Sequence, residues 1–498
     1  MSSPSGYFFC MYIVLWIAVS LAVGFYICQP VMDPDLWWHI VVGRWILAHG
    51  YPPSFDYWNL FANGKPWVAY SWSNEIIYAF TELKFGIEGL AVLKLLLAAL
   101  LSVSLFWTFS KVAKDWFFGA LLGIFATTAC HNHFVLRPQS FIWILFAYLI
   151  YLITIADREG WDRRKLIVLF VIFSLWANTH ITTIIGLGTL FLWNLNSFNL
   201  RKIALPLVVA FLGTLATPYF GKEWIIFFTK SSHPLQLTSI AEFSPASIMQ
   251  FATGFLLISI TALLCFVHKK PAQIGFGRTV FLAGLTLSAL GVVKFLPMAV
   301  IAICFSIADF WASSENSKQD LGSFAEGLVR FREFVATIPK EGLCFVFLVI
   351  AFINVLDVIR TPLDLTKTPK NSVDFIIEKQ LPDPILNEFG RGGYLIYRFS
   401  QLNGNPTKLV AIDGRTNVVP HDVMTKFMNA FTGKANWHEY LDLVNPQTIL
   451  WRNDSPLISI LKNGNEWCRI YQEGSDEFGY SVLVKNSWVA KHKDFKCN

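Results

Sequence analysis

Ionisable side chains in this sequence stand where apolar runs end. After the first apolar run the chain reads Met32-Asp33-Pro34-Asp35-Leu36-Trp37-Trp38-His39, and Glu75 closes the polar part of the same stretch. Later runs are separated by turns that bring His131, His133, Arg137, Gln139, Asn178, His180, Lys222, Glu223, Glu242 and Lys294. Carboxylates and imidazoles can move protons, and guanidinium or ammonium groups can hold anions through charge-assisted hydrogen bonds. Ionisable groups at membrane depth are costly and usually mark a functional cavity.

Each member also has a plain structural reading. Asp33 and Asp35 fit a solvated loop start, with Pro34 ending a helix. Trp37, Trp38 and Trp45 fit interfacial anchors, Arg137 a snorkelling flank, and Glu242 a helix cap. His131 and His133 alternate, but no third ligand is spaced nearby, so no metal site is indicated and no cofactor is expected. Lys294 is harder to dismiss, because it interrupts the apolar stretches Gly291–Val293 and Phe295–Val300. The aggregate says more than any one residue.

The elements that must position these groups are membrane spans. Of 498 residues, 54% are hydrophobic and 15% charged, with mean hydropathy +0.48, far too little charge for a soluble domain of this size. Runs long enough to cross a bilayer lie at 7–28, 89–110, 116–134, 138–156, 166–181, 183–198, 203–220, 249–267, 279–293, 296–312 and 342–358. The pair at 166–181 and 183–198 turns around Asn178-Thr179-His180. The first run is too long for a signal-peptide core and reads as a retained span. With the N-terminus inside, the inside loops carry fifteen Lys and Arg against seven in the outside segments before the last span, as the positive-inside rule asks. The polar turns then face outward, and the C-terminus lies outside. The net charge of +6 belongs to these loops and is no nucleic-acid signature.

The expected architecture is mostly α. Residues 1–358 form a polytopic helix bundle of about eleven spans, with a long first outside loop at 29–88. Residues 359–498 form a small extracytoplasmic α/β domain. Strands are predicted at Tyr394–Tyr397, Leu409–Ile412, Thr448–Trp451 and Tyr480–Val484, and helices around 371–380, 421–431, 437–444 and 455–462. Phe389-Gly390-Arg391-Gly392-Gly393-Tyr394 reads as a turn into a strand, and Asp413-Gly414-Arg415 as a turn with a salt bridge. Cys468 and Cys497 are the only cysteines of this domain, and an oxidising compartment favours a disulfide between them. No phosphate loop, GxSxG or HExxH motif is present.

Several of these motifs resemble the type-C (GT-C) glycosyltransferases of bacterial membranes. Asp33-Pro34-Asp35-Leu36-Trp37-Trp38-His39, Gly64-Lys65-Pro66-Trp67 and Trp72-Ser73-Asn74-Glu75 look like the first outside loop of that group. Arg137-Pro138-Gln139, Trp176-Ala177-Asn178-Thr179-His180, Thr217-Pro218-Tyr219 and Glu242-Phe243-Ser244-Pro245 look like its later turns. Gly392-Gly393-Tyr394-Leu395-Ile396 and Asp413-Gly414-Arg415-Thr416 also follow its pattern. Relatives include the protein O-mannosyltransferases and the lipid A aminoarabinose transferase. Pro34 splits the acidic pair that is adjacent in the mannosyltransferases, and the C-terminal domain is unlike theirs.

The resemblance implies a GT-C-like bundle in the inner membrane. It implies a polyprenyl-phosphate sugar donor, membrane lipids around it, and a glycan, lipid or protein acceptor. By similarity Asp33 or Asp35 is the general base. Glu75, Arg137, His180, Lys222, Glu242 and Lys294 are candidates for substrate binding, with Arg137, Lys222 and Lys294 suited to the lipid phosphate. A flippase for a polyprenyl-linked glycan and a non-catalytic scaffold are the competing classes. Paired Gly/Pro interruptions of the transporter kind are not seen.

Overall fold

The computed structural model describes residues 4–28, 30, 33–195, 200–230, 243–269, 274–313, 322–362, 368–415 and 417–497. It divides into two compact units. The first comprises Met1–Val31, Ile87–Gly221 and Thr238–Pro362, and the second Met32–Gly86, Lys222–Leu237 and Leu363–Asn498.

The first unit is helical. Every apolar run expected to span folds as a helix: Pro4–Tyr26, the part of Trp72–Ala113 beyond Gly86, Trp116–Ala129, Pro138–Glu159, Arg163–Ala177, Thr183–Trp193, Leu200–Thr214, Phe251–Lys269, Phe276–Gly291, Leu296–Ser313 and Lys340–Arg360. Among the described residues, five helices are long and apolar enough to cross a membrane: Trp72–Ala113, Pro138–Glu159, Phe251–His268, Val293–Ser313 and Lys340–Arg360. Five shorter apolar helices accompany them. This is a membrane protein.

The helix ends follow local chemistry. Asp115 accepts from the Phe117 and Phe118 N–H groups at 2.9 and 3.2 Å, and Asp162 accepts from Lys165 N–H at 2.8 Å, each satisfying donors that a helix start leaves open. Pro138 occupies the first turn of its helix, where its missing N–H is harmless. A further helix, Gly322–Thr337, lies in a stretch read from the sequence as loop.

The second unit carries a four-stranded sheet of β1 (Ile385–Asn387), β2 (Thr448–Arg452), β3 (Trp467–Gly474) and β4 (Gly479–Lys485) in the order β1-β2-β4-β3. β1 runs parallel to β2, and the other pairs are antiparallel. Tyr440, Trp451, Phe427 and Leu483 lead its core, under the helices His421–Thr432, His438–Val444 and Pro456–Lys462. Cys468 and Cys497 are joined, with Cα atoms 5.2 Å apart.

Three sequence readings are corrected here. Tyr394–Tyr397 is part of a helix, Gly392–Arg398, and the glycine-rich segment before it is a single 3-10 turn. Leu409–Ile412 makes only isolated bridges, through Val410 to Asn59 and Ile385. Short apolar runs do not distinguish strand from helix by period, so packing decides. The stretch read as a long first loop contains the helix Leu36–His49, buried from Leu36 to Ile46, and the start of Trp72–Ala113, which breaks at Gly86 (φ 67, ψ −165).

Candidate functional site

Asp33-Pro34-Asp35-Leu36 is a turn that feeds a helix. Leu36 N–H donates to the Asp33 carbonyl at 3.3 Å, and Asp35 N–H donates to Asp33 Oδ1 at 2.8 Å. Pro34 sits where a turn wants proline, and Asp35 has the αR dihedrals of the next position (φ −82, ψ −22). Pro34 therefore separates the two acids because the backbone reverses there. Asp33 is buried and closes the turn. Asp35 is half-buried, and its side chain makes no cap bond to the helix it precedes.

Glycines from distant parts of the chain make room for this turn. A Cβ on Gly414 would lie 2.1 Å from Asp35 Oδ1, and one on Gly393 would lie 2.5 Å from the Pro34 carbonyl oxygen. Three motifs far apart in sequence thus meet at the acidic turn: Asp33–Asp35, Gly392-Gly393-Tyr394 and Asp413-Gly414-Arg415.

Arg415 anchors the assembly. Its Nε and Nη2 donate to Asp413 at 2.8 and 2.9 Å, and its Nη1 donates to Asp56. Asn59 Nδ2 donates to Asp413 at 3.0 Å, and Asp56 also accepts the Trp58 and Asn59 N–H groups. The rings of Trp38, Trp58 and Trp67 stand 5.9, 5.5 and 5.0 Å from the guanidinium. Burial works against the charge of Arg415, and the Asp413 and Asp56 carboxylates more than offset it, raising its pKa above the usual value. Burial raises Asp56, with Arg415 opposing. This is a salt-bridged turn, as the sequence suggested, but with a second carboxylate from the start of the chain.

Glu75 pairs with His39 Nδ1 at 3.1 Å, both fully buried. Burial holds the Glu75 carboxyl well above the usual range, and Arg415 only partly opposes it. Its second oxygen has no hydrogen-bond partner among the described residues. Gly43 permits the crossing, since a Cβ there would strike the Glu75 carbonyl oxygen at 1.9 Å. Arg44 donates to Glu82 at 2.6 and 3.1 Å, and Tyr397 hydroxyl donates to the same carboxylate at 2.9 Å, locking three helices of this unit. Lys222, also of this unit, opens the helix Lys222–Lys230 and is exposed.

In the first unit Arg137, His180 and Lys294 gather. Arg137 precedes the helix at Pro138. His180 follows the helix ending at Ala177, with Nδ1 3.0 Å from Thr182 Oγ1. Asn178 Nδ2 ties this turn to the Ala216 carbonyl at 2.8 Å. Lys294 lies in the single turn Val293–Phe295, its ammonium 3.7 Å from the Phe243 ring centroid. Both Lys294 and Arg137 are within electrostatic reach of His180. Glu242 lies outside the described residues. Among those described, no three His, Cys, Asp or Glu side chains gather as a metal site would need.

Sequence reasoning missed two groups. Lys94 is buried within an apolar helix, its carbonyl accepting from Cys28 Sγ at 3.7 Å, and a lysine inside a span was the available signal. Asp309 is bound by Arg158 and Arg278, each at 2.6 Å. In sequence those arginines read only as loop charges.

Fold and site together define a polytopic membrane protein with a helix-and-sheet domain at its C-terminal end. Among solved structures it is similar to an oligosaccharyltransferase of Archaeoglobus fulgidus. The apo form matches with a TM-score of 0.52 over 89% of this chain and 70% of that one, at 11% identity. The same enzyme in complex with zinc and sulfate matches with a TM-score of 0.55 over 95% and 73%, at 9% identity. At these identities the likeness is one of fold alone. No family model and no curated protein matches the chain.

Proposed function

We propose that this protein is a type-C glycosyltransferase that passes a sugar from a polyprenyl-phosphate donor to an acceptor on the extracytoplasmic side of the inner membrane, its N-terminus inside. The observation that carries this reading is the acidic turn: a Pro-split pair of carboxylates, with glycine backbones at 393 and 414 clearing the space around it. The type-C likeness of the fold supports it.

In this reading the acceptor hydroxyl or amine attacks the anomeric carbon. The bond from that carbon to the phosphate oxygen breaks, and its electron pair leaves with the phosphate. The acceptor proton passes to a carboxylate. Asp35, half-buried where Asp33 is buried, is the more accessible carboxylate and takes the proton, and Asp33, which accepts from the Asp35 N–H, positions it. The leaving phosphate needs cations, and Arg137, Lys222 and Lys294 are the residues proposed for that role. Glu75, paired with His39, belongs to the same reading as a substrate-binding residue. Glu242 belongs to the same reading as a substrate contact.

The test is transfer of labelled sugar from a polyprenyl-phosphate donor by purified protein in nanodiscs, with the acceptor identified by comparing glycans and glycolipids of cells with and without the protein. Asp35→Asn should lower transfer by about 10²–10⁴-fold, the usual worth of a general base, with unchanged expression and melting. Asp33→Asn should lose less. Near-normal transfer in both variants would sink the assignment and favour a flippase or scaffold.

A further inference from the structure

The sheet-bearing unit holds a cavity of about 470 Å³, within the usual range for small-ligand sites. One wall is aromatic. Trp45 stacks on His49 at 4.0 Å and on Tyr57 at 5.4 Å between ring centroids, and Tyr51 meets Trp45 edge-on at 5.5 Å. His49 is fixed by a 2.7 Å bond between Nδ1 and the Trp45 carbonyl.

The facing wall is a tight backbone reversal. Ser400 bridges Pro406, Gln401 N–H donates to the Asn405 carbonyl at 2.9 Å, and Thr407 N–H donates to the Phe399 carbonyl at 2.6 Å. Gly404, at φ +81, brings this reversal so close to the helix that a Cβ would lie 2.5 Å from Trp45 N. Trp58 Nε1 donates to the Gly404 carbonyl at 2.9 Å. Both walls are therefore preorganised, which lowers the entropic cost of binding.

The lining selects a ligand class. Its polar residues include Asn63, Asn405 and Thr407, and the Thr407 hydroxyl donates to the Phe399 carbonyl at 2.7 Å, leaving its oxygen as an acceptor. Its lysine, Lys408, is neutralised by Asp383 at 2.8 Å and also bonds the Leu381 carbonyl. Among the described residues, no carboxylate lines the cavity. A phosphate or an acidic peptide is favoured by an unpaired cation, and the lysine here is already paired. An alkyl chain would desolvate the amides without replacing their hydrogen bonds. A pyranose satisfies both parts: its C–H face lies on an aromatic ring, and its hydroxyls both donate to and accept from amides.

We propose that this cavity is a binding site for a neutral glycan, a short run of pyranose units, separate from the acidic turn. The assignment goes beyond the transferase reading and does not need it, since the site would hold glycan in a protein that transfers nothing.

The experiment titrates full-length protein in nanodiscs with a panel of neutral oligosaccharides of hexose and N-acetylhexosamine, read by saturation-transfer NMR and calorimetry. Saturable binding of at least one neutral glycan is expected. Tyr51→Ala and Asn405→Ala should each weaken it about three- to tenfold, as for a lost contact or hydrogen bond, and Tyr51→Phe should change it little. Tyr51 is 59% exposed, so its variants should melt as the parent does. Asp35→Asn should bind glycan normally, which separates this site from the transfer reaction. Binding to no neutral glycan, binding only to phosphorylated headgroups or acidic sugars, or parental affinity in the Tyr51→Ala/Asn405→Ala double variant would each overturn the proposal.

Discussion

The membrane unit and the sheet-bearing unit each contain a three-charge cluster, and the two are inverted in sign. In the first, one carboxylate, Asp309, is shared by two guanidiniums from other helices, Arg158 and Arg278. In the second, one guanidinium, Arg415, is shared by two carboxylates, Asp413 and Asp56. They differ in depth. The side chains of Arg158 and Asp309 are 26% and 18% exposed, whereas the Arg415 cluster is at most 1% exposed. Water can reach Asp309 and Arg158 in the first cluster, though not Arg278, whose side chain is 3% exposed, and it reaches none of the three groups in the second. Burial, more than the number of contacts, should set what each is worth.

The largest expected effect follows from that depth. Arg415→Met leaves Asp413 and Asp56 buried with no cation between them. Removing one partner of a buried pair costs about 3–5 kcal/mol. Chemical denaturation of the purified protein, followed by tryptophan fluorescence, should show a loss of this size in the sheet-bearing unit. Asp56→Asn in the same background should recover part of it, because the second buried carboxylate is then gone. A loss below about 1 kcal/mol would mean the cluster is wetter than its burial indicates.

Asp309→Asn should do less. The amide oxygen still accepts from one guanidinium, and the other reaches solvent in part. The expected loss is about 1.5–3 kcal/mol, the range for a hydrogen bond to a charged group, read as a lower melting temperature in detergent. If Asp309→Asn destabilises as much as Arg415→Met, depth is not what separates the two clusters.

These clusters also mark where sequence reading stops. The spans were legible because a bilayer demands long apolar runs, and each run became a helix. Helices such as His421–Thr432 and the strands β2 and β4 were legible from their period and flanking turns. The partnership of Arg415 with Asp56 was not, since 359 residues separate them and no local pattern records the pairing. The helix Leu36–His49 was hidden differently. Its tryptophans are buried inside the unit, whereas the same residues in an exposed loop would read as interfacial anchors. At Gly392 and Gly393 the missing side chains serve close approach to Asp413 and Pro34, which a glycine-rich string alone does not distinguish from a turn. Among the candidate residues, the acidic pair and the cations Arg137 and Lys294 are visible in the sequence as residue types. The glycines that shape the space around the turn became meaningful only in three dimensions.

The last predicted effect concerns the buried pair Glu75 and His39 of the same unit, and it turns on sign. Glu75 has its pKa raised well above 4.5, chiefly by burial, with the Arg415 charge opposing. A carboxyl raised by folding binds its proton more tightly in the folded chain than in the unfolded one. Its contribution to stability is therefore fully present below the unfolded pKa and is lost as pH rises through the folded pKa. Stability of the sheet-bearing unit should fall on going upward from about pH 4.5, the reverse of the usual salt-bridged carboxylate. Glu75→Gln carries no titrating proton and keeps a hydrogen-bonding group beside His39 Nδ1, so it should flatten this part of the profile. Melting temperatures of the parent and Glu75→Gln proteins across pH 4.5 to 8, at constant ionic strength, decide the matter. A parental slope that survives the substitution would assign the proton to another group, and a slope of opposite sign would show that Arg415 outweighs burial at Glu75.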